Sequence, residues 1–331
     1  MRDRNRVQLA LAVLGTLSVV WACATPITSP APLGVAPGVW MIPGGTFANR
    51  EPDGNSAIFE APAGLVVVDT GRHQWHRDAI LSLARVQKKN IVAIVNSHWH
   101  LDHVSGNPAL RAAYPHLTVF ASGAIDEALT GFLAVSAQES GRYLDDPQIS
   151  EDLRDDIRRD LLTIQNGVAL KPDVVITTSG MVAMGGRVLQ VNLAKDAATA
   201  GDVWLYDDEN QVAALGDLVT LPAPFLDTAC PDGWKIALAQ IASTPFKIAI
   251  PGHGAPMTHP QFLLYRQAFD AFIDCAHAAT PREECATRWA NSIQPLLASN
   301  SSKGQGAKET AINYVDMLRS NGGRSKYCQS R

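Results

Sequence analysis

The densest chemistry in this sequence is a run of six residues, His98-Trp99-His100-Leu101-Asp102-His103. Three of the chain's nine histidines fall in it beside one carboxylate, so a polar surface loop with chance histidines is the weaker reading. Imidazole nitrogen and carboxylate oxygen are ligands that zinc takes, and a catalytic zinc keeps one position open for water. Zinc lowers the pKa of its water from about 15.7 to about 7, which supplies hydroxide at neutral pH for attack on a carbonyl, thioester, phosphate or sulfate centre. The charge that develops during attack is stabilised by the same cation.

Such a run needs elements that aim it. It follows residues 91–96, a short apolar stretch of the kind found in strands covered on both faces. Further strands are expected over 39–42, 56–60, 65–69, 118–121, 174–178, 187–191, 203–207, 212–215 and 247–250, with a hairpin turn at Ala63-Gly64. A helix is expected over 73–88, with Trp75, Ala79, Ile80, Leu83 and Ala84 on one face. Residues 123–166 read as a helical insertion that could serve as a lid, and its charge run from Glu151 to Asp160 reads as a solvated helix face. A Pro-rich loop is expected over 219–230 and a helix over 233–242. From about 261 onward the chain reads as helical, with Thr280-Pro281-Arg282-Glu283 as a capping box and a last helix over 307–320 stopped by Gly322-Gly323.

His98-x-His100-x-Asp102-His103 after an apolar strand resembles the signature of the metallo-β-lactamase superfamily. Three further segments fit that resemblance in order: Val66-Val67-Val68-Asp69-Thr70-Gly71, Gly216-Asp217-Leu218 and Pro251-Gly252-His253-Gly254. The resemblance implies an α/β fold, a four-layer αββα sandwich, over 39–260, with a C-terminal helical extension over 261–331. It implies two metal positions. His98 and His100 would serve the first, Asp102, His103 and His253 the second, and Asp217 would bridge them. Asp69 would orient the ligands, and Asp102 would have a catalytic role with the nucleophile or the leaving group. The family's usual His-Thr-x-Gly-Asp stretch reads Ala198-Thr199-Ala200-Gly201-Asp202 here, so one first-site histidine is replaced by Ala198. The expectation is one tightly bound Zn2+ and a second, weaker one; Lys195 or Asp196 would fill the gap only if their loop folds inward. Phe47, in the segment where the family carries a mobile loop, and Trp99 and Phe225 are candidate pocket-lining aromatics. The implied activity is hydrolysis of an ester, lactone, thioester or amide-like substrate, with β-lactam hydrolysis and a degenerate, non-catalytic relative as alternatives.

The N-terminus reads as a processing segment. Arg2, Arg4 and Arg6 precede an apolar run from Val7 to Trp21, which makes 1–23 a secretory signal. A Pro-rich tether over 24–38 would follow. Cys23 stands where a lipoprotein signal places its acylated cysteine, and ordinary secretory cleavage is the alternative. An exported, periplasmic or outer-membrane lipoprotein location is expected, with membrane contact only through that anchor. Cys230, Cys275, Cys285 and Cys328 allow two disulfides in three connectivities. Cys275–Cys285 across a short interhelical loop, with Cys230–Cys328, is favoured. Hydrophobic residues at 46% and charged residues at 18% exclude a disordered chain, a collagen and a coiled coil. With 28 basic and 32 acidic residues there is no basic excess for a nucleic acid, so a small-molecule substrate is the expected partner.

Overall fold

The computed structural model describes residues 29–297 and 301–328, with the backbone alone for 301–305. The signal, Cys23 and the first part of the tether lie outside the described residues.

Among the described residues, the first sheet has seven strands in chain order: β1 (Leu33–Ala36), β2 (Val39–Ile42), β3 (Ser56–Ala61), β4 (Gly64–Val68), β5 (Ile91–Val95), β6 (Thr118–Ala121) and β7 (Val174–Val175). Pairing is antiparallel from β1 to β4 and parallel from β4 to β7. The second sheet comprises β8 (Gly180–Met184), β9 (Arg187–Lys195), β10 (Gly201–Asp207), β11 (Val212–Thr220), β12 (Ile248–His253) and β13 (Met257–Thr258), ordered β13-β12-β11-β10-β9-β8. There β11 and β12 run parallel.

Strand residues alternate between faces, and in the central strands both faces are apolar. In β4, Val66 and Val68 join a middle layer with Leu189, Val203 and Ile250 of the second sheet. Leu65 and Val67 turn outward to Ile80 and Leu83 of α1 (Gln74–Gln87). In β11, Val212 and Ala214 enter the middle layer. Ala213 and Leu215 face outward to Trp234 of α7 (Pro231–Ala242) and Phe269 of α8 (His259–His277). The layers therefore stack as an αββα sandwich. Short helices α2 (Leu101–Val104) and α3 (Asn107–Ala113) follow β5, and α4 (Ala124–Thr130), α5 (Phe132–Arg142) and α6 (Glu151–Gln165) lie between β6 and β7. At the C-terminus, α9 (Arg282–Ile293) and α10 (Ser301–Ser320) add Trp289 and Val315 to the outer layer of α7 and α8.

Several expectations need correction. The sheet begins inside the stretch read as tether: β1 pairs Leu33 with Met41 and Gly34 with Trp40. It is an edge strand, where neighbouring prolines are tolerated. Strand β8 carries no alternation, because most of it is exposed, and its pattern was not legible. Trp75 is not on the buried face of α1; it stacks on His73 at a ring separation of 4.0 Å. No side chain caps α9, whose N-cap is Pro281; the capping box forms instead between Thr258 and Gln261 at the start of α8. The last helix begins at Ser301 and stops before Gly322 and Gly323, both at positive φ. The structure joins Cys230 to Cys328 and Cys275 to Cys285, the pairing favoured from sequence.

Candidate metal centre

Four strands bring the residues of this centre to one edge of the sandwich. Asp69 follows β4, His98 and His100 follow β5, Asp217 lies within β11 and His253 ends β12. Two glycines permit the approach. Gly216 has φ 52°, and a Cβ there would meet Ser97 Cβ at 2.4 Å; a Cβ on Gly252 would stand 2.0 Å from Asp217 Oδ1. Asp102 and His103 sit in the single turn of α2, buried with Asp217 and His98.

Hydrogen bonding decides which nitrogen of each ring faces the centre. Asp69 Oδ2 accepts from Ser97 Oγ at 2.6 Å and from His103 Nδ1 at 2.8 Å. The Ser97 proton is thus engaged, so at 2.9 Å Ser97 Oγ accepts from His98 Nδ1. His98 and His103 both present Nε2 inward. His98 Nε2 lies 3.7 Å from Asp217 Oδ2, and His103 Nε2 lies 3.2 Å from Asp217 Oδ1. His253 Nε2 stands 3.4 Å from His103 Nε2 and 3.0 Å from Asp102 Oδ2. His100 Nδ1 is 4.0 Å from Asp217 Oδ2.

This convergence concentrates electron pairs. His98 Nε2 and Asp217 Oδ1 are buried without a hydrogen-bond partner. Burial pushes His98 well below its ordinary pKa, with His100 and His103 adding to the effect, and burial brings His100 down to about 4. Burial also opposes charge on His103, but Asp217, Asp102 and Asp69 outweigh it and hold that ring well above its ordinary value. His253 is raised in the same way against its own burial, by Asp217 and Asp102. The carboxylates of Asp102 and Asp217, despite burial, are held low by His103 and His253. The centre therefore demands positive charge, and its donors are nitrogen and oxygen only. That set fits a zinc-like divalent ion.

Among the described residues, two groups of three bring ligand atoms within 4.8 Å of one another: Asp102, His103 and His253, and His98, His103 and Asp217. The first contains all three expected second-site histidine and aspartate ligands. The second takes in His103 where His100 was expected. Ala198 is fully buried and contributes no ligand atom; its carbonyl accepts from Thr228 Oγ1 at 2.9 Å. The loop does not bring Lys195 inward: that side chain is exposed and lines a separate surface groove with Thr177 and Gln240. Asp196 occupies a left-handed turn and belongs to neither group.

A cavity of about 370 Å³ opens on His100, Asp102, Asp217 and His253. Trp99 and Phe225 line it, with Phe225 edge-on to His100 at 5.0 Å. Phe47 lines neither this cavity nor the next; its ring packs against Trp75 at 5.6 Å, which corrects that expectation. A second chamber, about 650 Å³, shares Thr46, Leu221, Pro222 and His253 with the first and is lined by Leu33, Met41, Pro43, Pro256 and Leu297. Asn55 lies in its wall, but its amide is engaged with Pro251, Gly254 and Gly44 backbone groups.

Sequence spacing gave no sign of the support around this edge. Arg72 is the one Lys or Arg among the described residues lining the first cavity, and it pairs with Asp160, with Glu51 at 3.5 Å and with Asp102 at 3.9 Å. Burial pushes Asp160 up to about 6 despite Arg72. His73 is held between Asp53 at 2.8 Å and Asp156 at 3.1 Å, and Asp156 also pairs with Arg50. The acidic run of α6 is thus more than a solvated face: Asp156 and Asp160 turn inward. Tyr314 and Thr310 of α10 reach the first cavity as well.

The family model of the metallo-beta-lactamase superfamily matches residues 50–264. A sequence comparison with curated proteins gave no significant match. Among solved structures, a metallo-beta-lactamase from Pontibacter korlensis is similar with TM-score 0.52 and 19% identity, covering 72% of this chain and 98% of that one. The mono-zinc form of a metallo-beta-lactamase from Pseudomonas aeruginosa gives TM-score 0.54 at 18% identity, covering 75% of this chain and 98% of that one. A stereoselective inverting sec-alkylsulfatase from Pseudomonas sp. gives TM-score 0.57 at 17% identity over 88% of this chain, which spans half the length of that enzyme. At these identities the likenesses speak for the fold.

Proposed function

The chain belongs to the metallo-beta-lactamase superfamily, and we propose that it is a metal-dependent hydrolase of small, uncharged ester, lactone or thioester substrates. One observation carries this reading: inward-facing nitrogens of His98, His103 and His253 converge with Asp102 and Asp217 at the edge of a cavity that Asp102, Asp217 and His253 line. A zinc ion held there would supply an acidified water and an electrophile for the substrate carbonyl.

The remaining chemistry falls to the chain's own side chains. Asp102 stays ionised at neutral pH, because His103 and His253 outweigh its burial. Its Oδ2 faces His253, while Oδ1 lies toward Arg72. Asp102 lines the cavity as a carboxylate and is placed to orient the attacking water by accepting its hydrogen bond. Trp99 and Phe225 narrow the cavity around the reacting group, and the adjoining chamber offers apolar wall to a substrate side arm. Arg72, matched by Asp160 and Glu51, leaves no unpaired Lys or Arg among the described lining residues for a substrate carboxylate. That favours neutral substrates over β-lactams, which carry one. Two disulfides suit an oxidising compartment, which supports work after export.

The test is turnover by the zinc-loaded full chain on a panel of neutral chromogenic esters, thioesters and cephalosporins. Ester or thioester cleavage that a chelator removes, zinc restores and His253→Ala abolishes supports the reading. No turnover of any substrate overturns it in favour of a binding protein, and turnover that survives His253→Ala places the chemistry at another site.

A further inference from the structure

The first half of the metal centre lacks an imidazole at position 198, yet it is not left loose. Thr228 Oγ1 stands between two groups, the Ala198 carbonyl at 2.9 Å and His100 Nε2 at 3.1 Å. A hydroxyl has one proton, and a carbonyl can only accept. Thr228 therefore donates to Ala198, and His100 Nε2 must donate to Thr228. The lone pair of His100 is thereby fixed on Nδ1, the nitrogen that faces Asp217. Without this contact the ring would be free to take the other tautomer, which points an N–H at the centre.

The segment carrying Thr228 is itself held from the far end of the chain. Ser325 N donates to Ala229 O at 3.2 Å, and Ser325 Oγ donates to Asp227 O. Tyr314 of α10 donates to Asp227 Oδ2 at 2.9 Å. The Cys230–Cys328 disulfide closes the same junction, and Cys230 N donates to Ala197 O at 2.8 Å. Links on 227, 229 and 230 thus flank Thr228 on both sides. The second half of the centre has no such dependence, since His103 is fixed by Asp69.

We propose that Thr228 is a positioning residue for His100 and that the C-terminal extension acts as a brace for the first metal position through it. The proposal rests on the metal reading above, and its experiment separates the two. Metal-free full chain is titrated with Co2+, and the visible absorption bands report each equivalent as it binds. In the natural protein one tight and one weaker equivalent are expected. Thr228→Val weakens the second equivalent by about 10–100-fold, the usual effect of losing a group that orients a ligand, and leaves the tight one in place. Thr228→Ser restores it. Cys328→Ser weakens the second equivalent in the same direction, whereas Cys275→Ser with Cys285→Ser does not. Should Cys328→Ser fail to fold, the Thr228 pair decides alone. A Thr228→Val titration that matches the natural protein overturns the proposal, as does a natural protein that takes up a single equivalent. Loss of the tight equivalent from the natural protein overturns the metal reading instead.

Discussion

Among the described residues, two buried clusters of histidine and carboxylate stand side by side in the fold, one around His73 and one around His103. In the first, the ring nitrogens of His73 face Asp53 and Asp156, and Arg50 and Arg159 also pair with Asp156. Asp53 also accepts from the backbone amides of Arg72 and His73, and Asp156 from that of Glu51. In the second, His103 again lies between carboxylates, Asp69 on one side and Asp217 on the other. Here the atoms do not close on themselves. His98 Nε2 stands 3.7 Å from the Asp217 carboxylate and two imidazole Nε2 atoms approach to 3.4 Å, whereas each ring nitrogen of His73 has a carboxylate oxygen within 3.1 Å. Residue type does not separate a structural cluster from a metal centre; imidazole nitrogens that face one another instead of a carboxylate do.

That contrast yields unequal consequences. Removing His103 or Asp217 should act on metal first: His103→Ala and Asp217→Ala each lower zinc affinity by more than the about 10–100-fold typical of an orienting contact, read by elemental analysis after dialysis. Retention of full zinc by either variant would place the ion elsewhere. Removing His73 should act on stability: His73→Leu leaves Asp53 and Asp156 buried and facing each other, a loss of about 3–5 kcal/mol in chemical denaturation, with zinc content unchanged. Metal loss in that variant would show that the two clusters are one. Asp69→Asn keeps the shape but disturbs the tautomers of His98 and His103, so zinc affinity should fall about 10–100-fold in a competition titration with a chromogenic chelator.

A smaller effect lies in pH. The pKa of His73 is raised: burial opposes its charge, but Asp156 and Asp53 outweigh it. A histidine raised on folding contributes stability in full below its unfolded value of about 6.5 and loses it as pH rises through the folded value. The penalty of His73→Leu, measured by denaturation, should therefore be larger at pH 6 than at pH 9; a penalty that grows with pH would contradict the protonated ring. The smallest change expected is a gain: Ala198→His should raise occupancy of the weaker metal position, and unchanged stoichiometry would mean that position 198 does not face it.

The two clusters also differ in how far the sequence revealed them. His98, His100, Asp102 and His103 are adjacent in the chain, so their density was visible at once. Asp69, Asp217 and His253 became legible only through the order of segments that resemble a family. Nothing marked the His73 cluster, because Asp53, His73 and Asp156 come from a loop, a helix start and an inserted helix with no common spacing. Arg72 with Asp160, and Thr228 with the C-terminal extension, are hidden for the same reason. Strands such as β4 and β5, buried on both faces, read plainly as apolar runs; β1 and β8, at sheet edges, lack the burial that writes a pattern into sequence.

Anomalous diffraction at the zinc edge from zinc-soaked crystals of the full chain tests the central claim most directly. The account predicts a peak bounded by Asp102, His103, Asp217 and His253, with ligand distances of about 2.0–2.2 Å. A zinc-soaked crystal with no peak among those four side chains would contradict it.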